Sequence, residues 1–108
     1  MQHKNLIDGA WVAEQYSTNI SPSDATDVVG EFGSATEKET SAAIAAAAES
    51  KAMWKHFSDA DRADLLDSIG NTILARRNDL GEMLSREEGK VRSEGVAEAV
   101  RAGNTFKY

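Results

Sequence analysis

Residues 85–90 read SREEGK, and a Gly-Lys pair behind a helical stretch suggests phosphate chemistry, with backbone amides cradling the oxygens and a lysine ammonium closing on them. That chemistry needs a preceding strand, an earlier glycine in the GxxxxGK spacing, and Ser or Thr after the lysine. Here Leu84 stands where the earlier glycine belongs, Val91 follows Lys90, and the run RRNDLGEMLSREE before it alternates at helical spacing. Gly89 is therefore expected to be a left-handed helix C-cap, with Lys90 solvated beyond it. His3 and His56 lack HExxH or His-x-His spacing and read as surface histidines rather than metal ligands. Gly30 and Gly33 in GEFG lack the GxGxxG form and read as glycines that permit a bulge or close packing. Asp59, Asp61, Asp64 and Asp67 read as charges complementing a helix N-terminal half. Trp11 and Trp54 read as core or interface anchors. With no cysteine in the chain, disulfides, zinc thiolates and thiol catalysis within these residues are all excluded.

The elements that would position these residues change character once, near residue 35. Before it, Asp8-Gly9 between the apolar runs of NLIDGAWV is the signature of a two-residue β-hairpin turn, and DVVGEFGSA supplies a further strand. SPSDAT between them is a loop built on Pro22. After it, four helices are expected. Thr36 with Glu39 forms a capping box for a helix reaching about Lys55, whose buried stripe is Ile44, Ala47, Ala48 and Ala52. Ser58 with Asp61 opens a second helix, carrying Leu65, Leu66, Ile69, Ile73 and Leu74 to about Arg77. Asn78 caps a third, with Leu80, Met83 and Leu84 inward and Gly89 at its end. Ser93 caps a fourth, with Val96, Val100 and Phe106 on one side.

At 108 residues the chain is at most one domain. A net charge of −6 and a pI near 4.8 repel phosphate backbones and anionic membranes, so nucleic acid and membrane are not expected partners. No apolar leader and no membrane span is readable, and a cytoplasmic protein is expected. Two features suggest that the segment is not self-sufficient. An alanine stripe buries little area unless closely covered, and VAEAVRAGNTFKY has no stop signal in its last turn, which reads as a truncated C-terminus. The alternative reading is a stand-alone acidic helical module that binds a protein partner through its alanine face.

The succession of NLIDGAWV, NISPSDATDVVGEFGSAT, the alanine-rich helix, MWKHFSDADRADLLDSIGNTILARRNDLGEMLSREEGK and EAVRAGNTFKY resembles the N-terminus of the NAD(P)-dependent aldehyde dehydrogenase superfamily over the whole chain. Ile7, Gly9, Trp11, Pro22, Val29, Gly30, Trp54, Arg62, Leu65, Leu66, Glu88, Gly89 and Lys90 match the family pattern. Ser21 replaces a common asparagine, and Val91 a common proline. Within the family the wording is most similar to the branch that oxidises α-ketoglutaric semialdehyde.

The resemblance implies an α+β segment: residues 1–35 β-rich, residues 36–108 helical, together the N-terminal part of an α/β cofactor-binding domain. It implies NAD or NADP and a small aldehyde substrate for a full-length enzyme that is a homo-oligomer, dimer or tetramer. It places the dinucleotide strands, thiol nucleophile and glutamate base further down the chain, so residues 1–108 alone are expected to be inactive. EEGK becomes a joint between two surface helices. Three positions match a monovalent cation site of several relatives: Asn19, Ile20 and Glu98, the last an aspartate in many of them. Arg101, three positions from Glu98, matches an arginine that faces the substrate entrance in relatives acting on carboxylated semialdehydes. The alternative for Arg101 is a surface salt bridge to Glu98 or Glu94, and for Glu98 a solvent-facing position beside Arg101.

Overall fold

In the computed structural model, which describes residues 1–108, five strands precede four helices: β1 (Gln2–His3), β2 (Asn5–Ile7), β3 (Ala10–Val12), β4 (Gln15–Ile20), β5 (Val28–Ser34), α1 (Glu37–His56), α2 (Asp59–Ala75), α3 (Arg77–Glu88) and α4 (Arg92–Lys107). The chain is α+β and divides into two compact units. One comprises Met1–Ile20 with Thr26–His56, the other Ser21–Ala25 with Phe57–Tyr108.

In the first unit, β2 and β3 pair antiparallel with Ile7 opposite Ala10. Asp8 and Gly9 turn the chain at φ 49° and 75°. Two consecutive positive φ values define the turn whose twist suits a hairpin, which is why Asp-Gly occupies it. The other sheet has the order β1-β5-β4, and β4 and β1 are strands that the sequence reading did not separate. Ser17, Thr18 and Asn19 dilute the strand signal of β4, and β1 is only two residues long. A bulge interrupts β4–β5 pairing between Asn19, opposite Gly30, and Ile20, opposite Val28. At Gly30 a side chain would meet the His3 ring at 3.1 Å, and at Gly33 it would meet Ala13 Cβ at 2.9 Å. Gly30 thus admits its neighbouring strand and Gly33 admits Ala13 and Asn5 of the β2–β3 hairpin region, and neither leaves a cradle for a ligand.

The capping box of α1 forms as its spacing requires: Thr36 N donates to Glu39 Oε2 at 2.8 Å and Glu39 N to Thr36 Oγ1 at 3.2 Å. The expected stripe is not the packed one. Ile44 is 67% exposed, and the half-buried positions are Glu39, Ala43 and Ala46. The helix is turned about its axis from the orientation that hydrophobicity alone selects, because alanines on every side leave that signal nearly flat. Trp11, 64% exposed, belongs to the surface of this unit and not to its core.

The second unit is a three-helix assembly held by close backbone approach rather than by large side chains. Its buried helical positions are Gly70, Gly81, Gly95, Ala99 and Gly103. A Cβ on Gly70 would fall 2.7 Å from Gly103 O, and one on Gly81 would fall 2.6 Å from Val96 N, so α4 lies directly against α2 and α3. Ile69, Ile73, Leu74, Leu80, Leu84, Val96 and Val100 flank these seams half-buried, while Leu65, Leu66, Met83 and Phe106 stay exposed. Ser58 and Asp61 make the second capping box, with Asp61 N donating to Ser58 Oγ at 3.1 Å. Asn78 and Ser93 are not caps: each lies one residue inside its helix, behind Arg76 and Val91, neither of which makes a side-chain cap bond. Gly89 ends α3 at φ 73°, its N–H donating to Ser85 O at 2.9 Å. A Cβ there would also strike Pro22 Cγ at 2.8 Å, so the same glycine seats the Ser21–Ala25 loop.

Candidate functional site

The joint between α3 and α4 is electrostatically closed. Lys90 Nζ lies 2.6 Å from a carboxylate oxygen of both Glu88 and Glu98, and its side chain keeps only 18% of its exposure. The expectation of a solvated Lys90 is corrected here, since the αL turn at Gly89 swings the chain so that the lysine reaches back to α3 and across to α4. The two carboxylates hold its ammonium above the ordinary lysine value, Glu88 contributing most. Ser85 Oγ donates to Lys90 O at 2.5 Å and fixes the backbone of the joint. This lysine is a structural cation, and the signal that could have found it is the pair of glutamates two residues before and eight residues after it.

Three of the four aspartates of α2, all but Asp64, also have partners. Asp59 pairs with Arg62. The Ser58 hydrogen bonds, side chain then backbone, hold Asp61 below the ordinary carboxylate value. Lys107 on α4 donates to Asp67 and lowers its pKa, while reaching Asn71 Oδ1 at 2.7 Å. These are ties within the helical unit. His3 stacks on Phe32 with ring centroids 4.8 Å apart, and His56 ends α1, where a basic group complements the helix C-terminus.

Of the sequence-predicted cation ligands, Asn19 and Ile20 adjoin at the bulge of β4 in the first unit, and Glu98 lies on α4 in the second, its Oε1 taken by Lys90. Glu98 therefore does not simply face solvent. Arg101 is on the exposed side of α4, three residues from Glu98 and seven from Glu94, yet forms an ion pair with neither. The surface salt bridge to Glu98 or Glu94 expected as its alternative role does not form. Arg101 instead borders an open groove of about 550 Å³ with Ala97, Val100, Asn104, Thr105 and Tyr108. Asn104 is a polar member of this groove that the sequence reading passed over, although it stands one turn beyond Arg101.

The chain matches the family profile described as "Aldehyde dehydrogenase family" over residues 11–108. It is 31% identical over 108 residues to an alpha-ketoglutarate semialdehyde dehydrogenase of Haloferax volcanii, covering 97% of this chain and 22% of that protein. It is 33% identical over 107 residues to a vanillin dehydrogenase of Corynebacterium glutamicum, covering 96% of this chain and again 22% of the relative. The crystal structure of an NAD-dependent aldehyde dehydrogenase from Sinorhizobium meliloti superposes with a TM-score of 0.94 at 27% identity, over 100% of this chain and 22% of that one. The chain thus spans about a fifth of the length of these relatives. Two capped helices, a glycine-seamed third and fourth, and the strands before them reproduce the N-terminal part of that fold, and on the profile match the chain belongs to the aldehyde dehydrogenase family.

Proposed function

We propose that this segment is the N-terminal part of a cytoplasmic oxidoreductase that oxidises an acidic aldehyde, α-ketoglutaric semialdehyde, to the carboxylic acid with NAD or NADP. Family membership supports the reaction class. The substrate reading rests on one observation: the Arg101 guanidinium stands in the α4 groove without a carboxylate of its own. Identity alone does not select the substrate, because the relatives at 31% and 33% bear the names of an acidic and a neutral aldehyde. An arginine fork suits a substrate carboxylate bidentately, which an uncharged aldehyde lacks.

The segment supplies recognition and scaffold, not the reacting groups. It holds no cysteine, so the thiol that attacks the aldehyde has to come from elsewhere in a full-length enzyme. Gly30 and Gly33 are filled by their own neighbours, so no dinucleotide is assigned to them. The cation ligands Asn19, Ile20 and Glu98 remain a second proposal from the sequence likeness.

The test is Arg101→Ala in the full-length enzyme. KM for α-ketoglutaric semialdehyde is expected to rise by one to two orders of magnitude, about 1.4–2.8 kcal/mol, while valeraldehyde is nearly unaffected. Equal small effects on both substrates would leave Arg101 a surface residue.

A further inference from the structure

The two sides of α4 do different work. Gly95, Ala99 and Gly103 carry the packing against α2 and α3. At 3.6 residues per turn, the middle of the groove that Ala97, Val100, Arg101, Asn104, Thr105 and Tyr108 line lies roughly 160° round the helix from that stripe. Packing among α2, α3 and α4 therefore does not account for the polar groups on the groove side. Thr105 is committed, since its Oγ1 donates to Arg101 O at 2.9 Å. Arg101 and Asn104 are not, for neither side chain bonds to another group of residues 1–108. The two stand at i and i+3 on one face, where Cβ atoms are about 5–6 Å apart.

The donor inventory of the pair is specific. Arginine offers five N–H groups and no acceptor, and the asparagine amide adds two more donors. A simple carboxylate accepts from the guanidinium with both oxygens and leaves the Asn104 amide unused. A 2-oxo carboxylate carries a third acceptor on the adjacent carbon, beyond the carboxylate and toward the chain. A short side chain one turn from a long one can reach that oxygen, while Val100 and Ala97 provide apolar surface for the methylenes.

We infer that Asn104 is a specificity-determining residue that donates through Nδ2 to the keto oxygen of a 2-oxo acid semialdehyde whose carboxylate Arg101 holds. The inference rests on the substrate reading above and adds to it the residue that recognises the keto group beside the carboxylate.

The experiment compares three aldehydes on the full-length enzyme and its variants Asn104→Ala, Asn104→Leu and Arg101→Ala. The aldehydes are α-ketoglutaric semialdehyde, glutaric semialdehyde (the same chain with a methylene in place of the keto carbon) and valeraldehyde. Asn104 is exposed, so its variants are expected to fold, and the leucine keeps the shape without the donor. Both Asn104 variants are expected to raise KM for α-ketoglutaric semialdehyde about fivefold to tenfold, the scale of one hydrogen bond, with kcat and the KM for glutaric semialdehyde unchanged. Asn104→Ser, which restores a donor, is expected to recover part of the loss. Parallel changes on both acids, or no change on either, overturn the inference. Arg101→Ala separates the two readings: it is expected to weaken both acids alike and spare valeraldehyde. If it spares the acids while Asn104 still discriminates the keto group, the carboxylate reading falls and the keto contact stands. If it weakens both acids while Asn104 does not discriminate, the reverse holds.

Discussion

Gly81→Ala turns the closeness of α3 and α4 into a measurable sign. In an isolated helix the change would stabilise by about 1 kcal/mol, because alanine loses less backbone freedom on folding than glycine. In this chain the new Cβ would fall 2.6 Å from Val96 N and 2.7 Å from Val96 Cα. Those distances are roughly 1 Å inside ordinary contact, and a gap of that size opened along a seam to relieve them forfeits a quarter to a half of each dispersion contact it widens. Overpacking of this kind costs about 1–3 kcal/mol, and more where the obstacle is backbone. The obstacle here is backbone, so the costs exceed the propensity gain and a net loss of about 1–2 kcal/mol is expected. Urea unfolding followed by far-ultraviolet circular dichroism gives the midpoint, with an unchanged slope showing that stability and not compactness moved. The double variant Gly81→Ala with Val96→Ala distinguishes the causes. Val96 Cγ2 is the nearest side-chain atom at 2.5 Å, and if it alone were the obstacle its removal would restore stability. A midpoint that rises in Gly81→Ala, or full rescue in the double variant, would refute the reasoning.

Three further outcomes can be checked on the same chain. Ser58→Ala removes the side chain that accepts from Asp61 N and is expected to cost about 1 kcal/mol, read as a fall in thermal midpoint of several degrees. Asp67 has a folded pKa below the ordinary 3.8, so its tie to Lys107 contributes above that pH and is lost as pH falls through the folded value; Asp67→Asn is expected to flatten the acid limb of stability below about pH 4. Lys90 has a folded pKa above the ordinary 10.5, so its contribution is complete below that pH and is lost as pH rises through the folded value; Lys90→Met is expected to flatten the alkaline limb, and an unchanged limb would show that Glu88 and Glu98 do not hold it.

What the sequence made legible was local. Both capping boxes and the left-handed Gly89 depend on residues no more than five apart, and the Asp8-Gly9 turn on two, so each could be read before any packing was known. The strand β4 was hidden by its polar residues, and the buried side of the helices by a more general cause. Hydrophobic periodicity looks for large side chains, whereas α4 meets its neighbours through Gly95, Ala99 and Gly103, and glycine in a helix reads as a weakness rather than a contact. That misreading also obscured the site. Once the small residues are assigned to the seam, Arg101 and Asn104 fall on the opposite side, while Lys90 reaches across the joint to Glu98. On the proposed substrate reading, Lys90→Met is expected to raise KM for the acidic aldehyde through Glu98, because a Glu98 released from Lys90 can turn toward Arg101, one turn away, and compete for its guanidinium; an unchanged KM in the full-length enzyme would refute this.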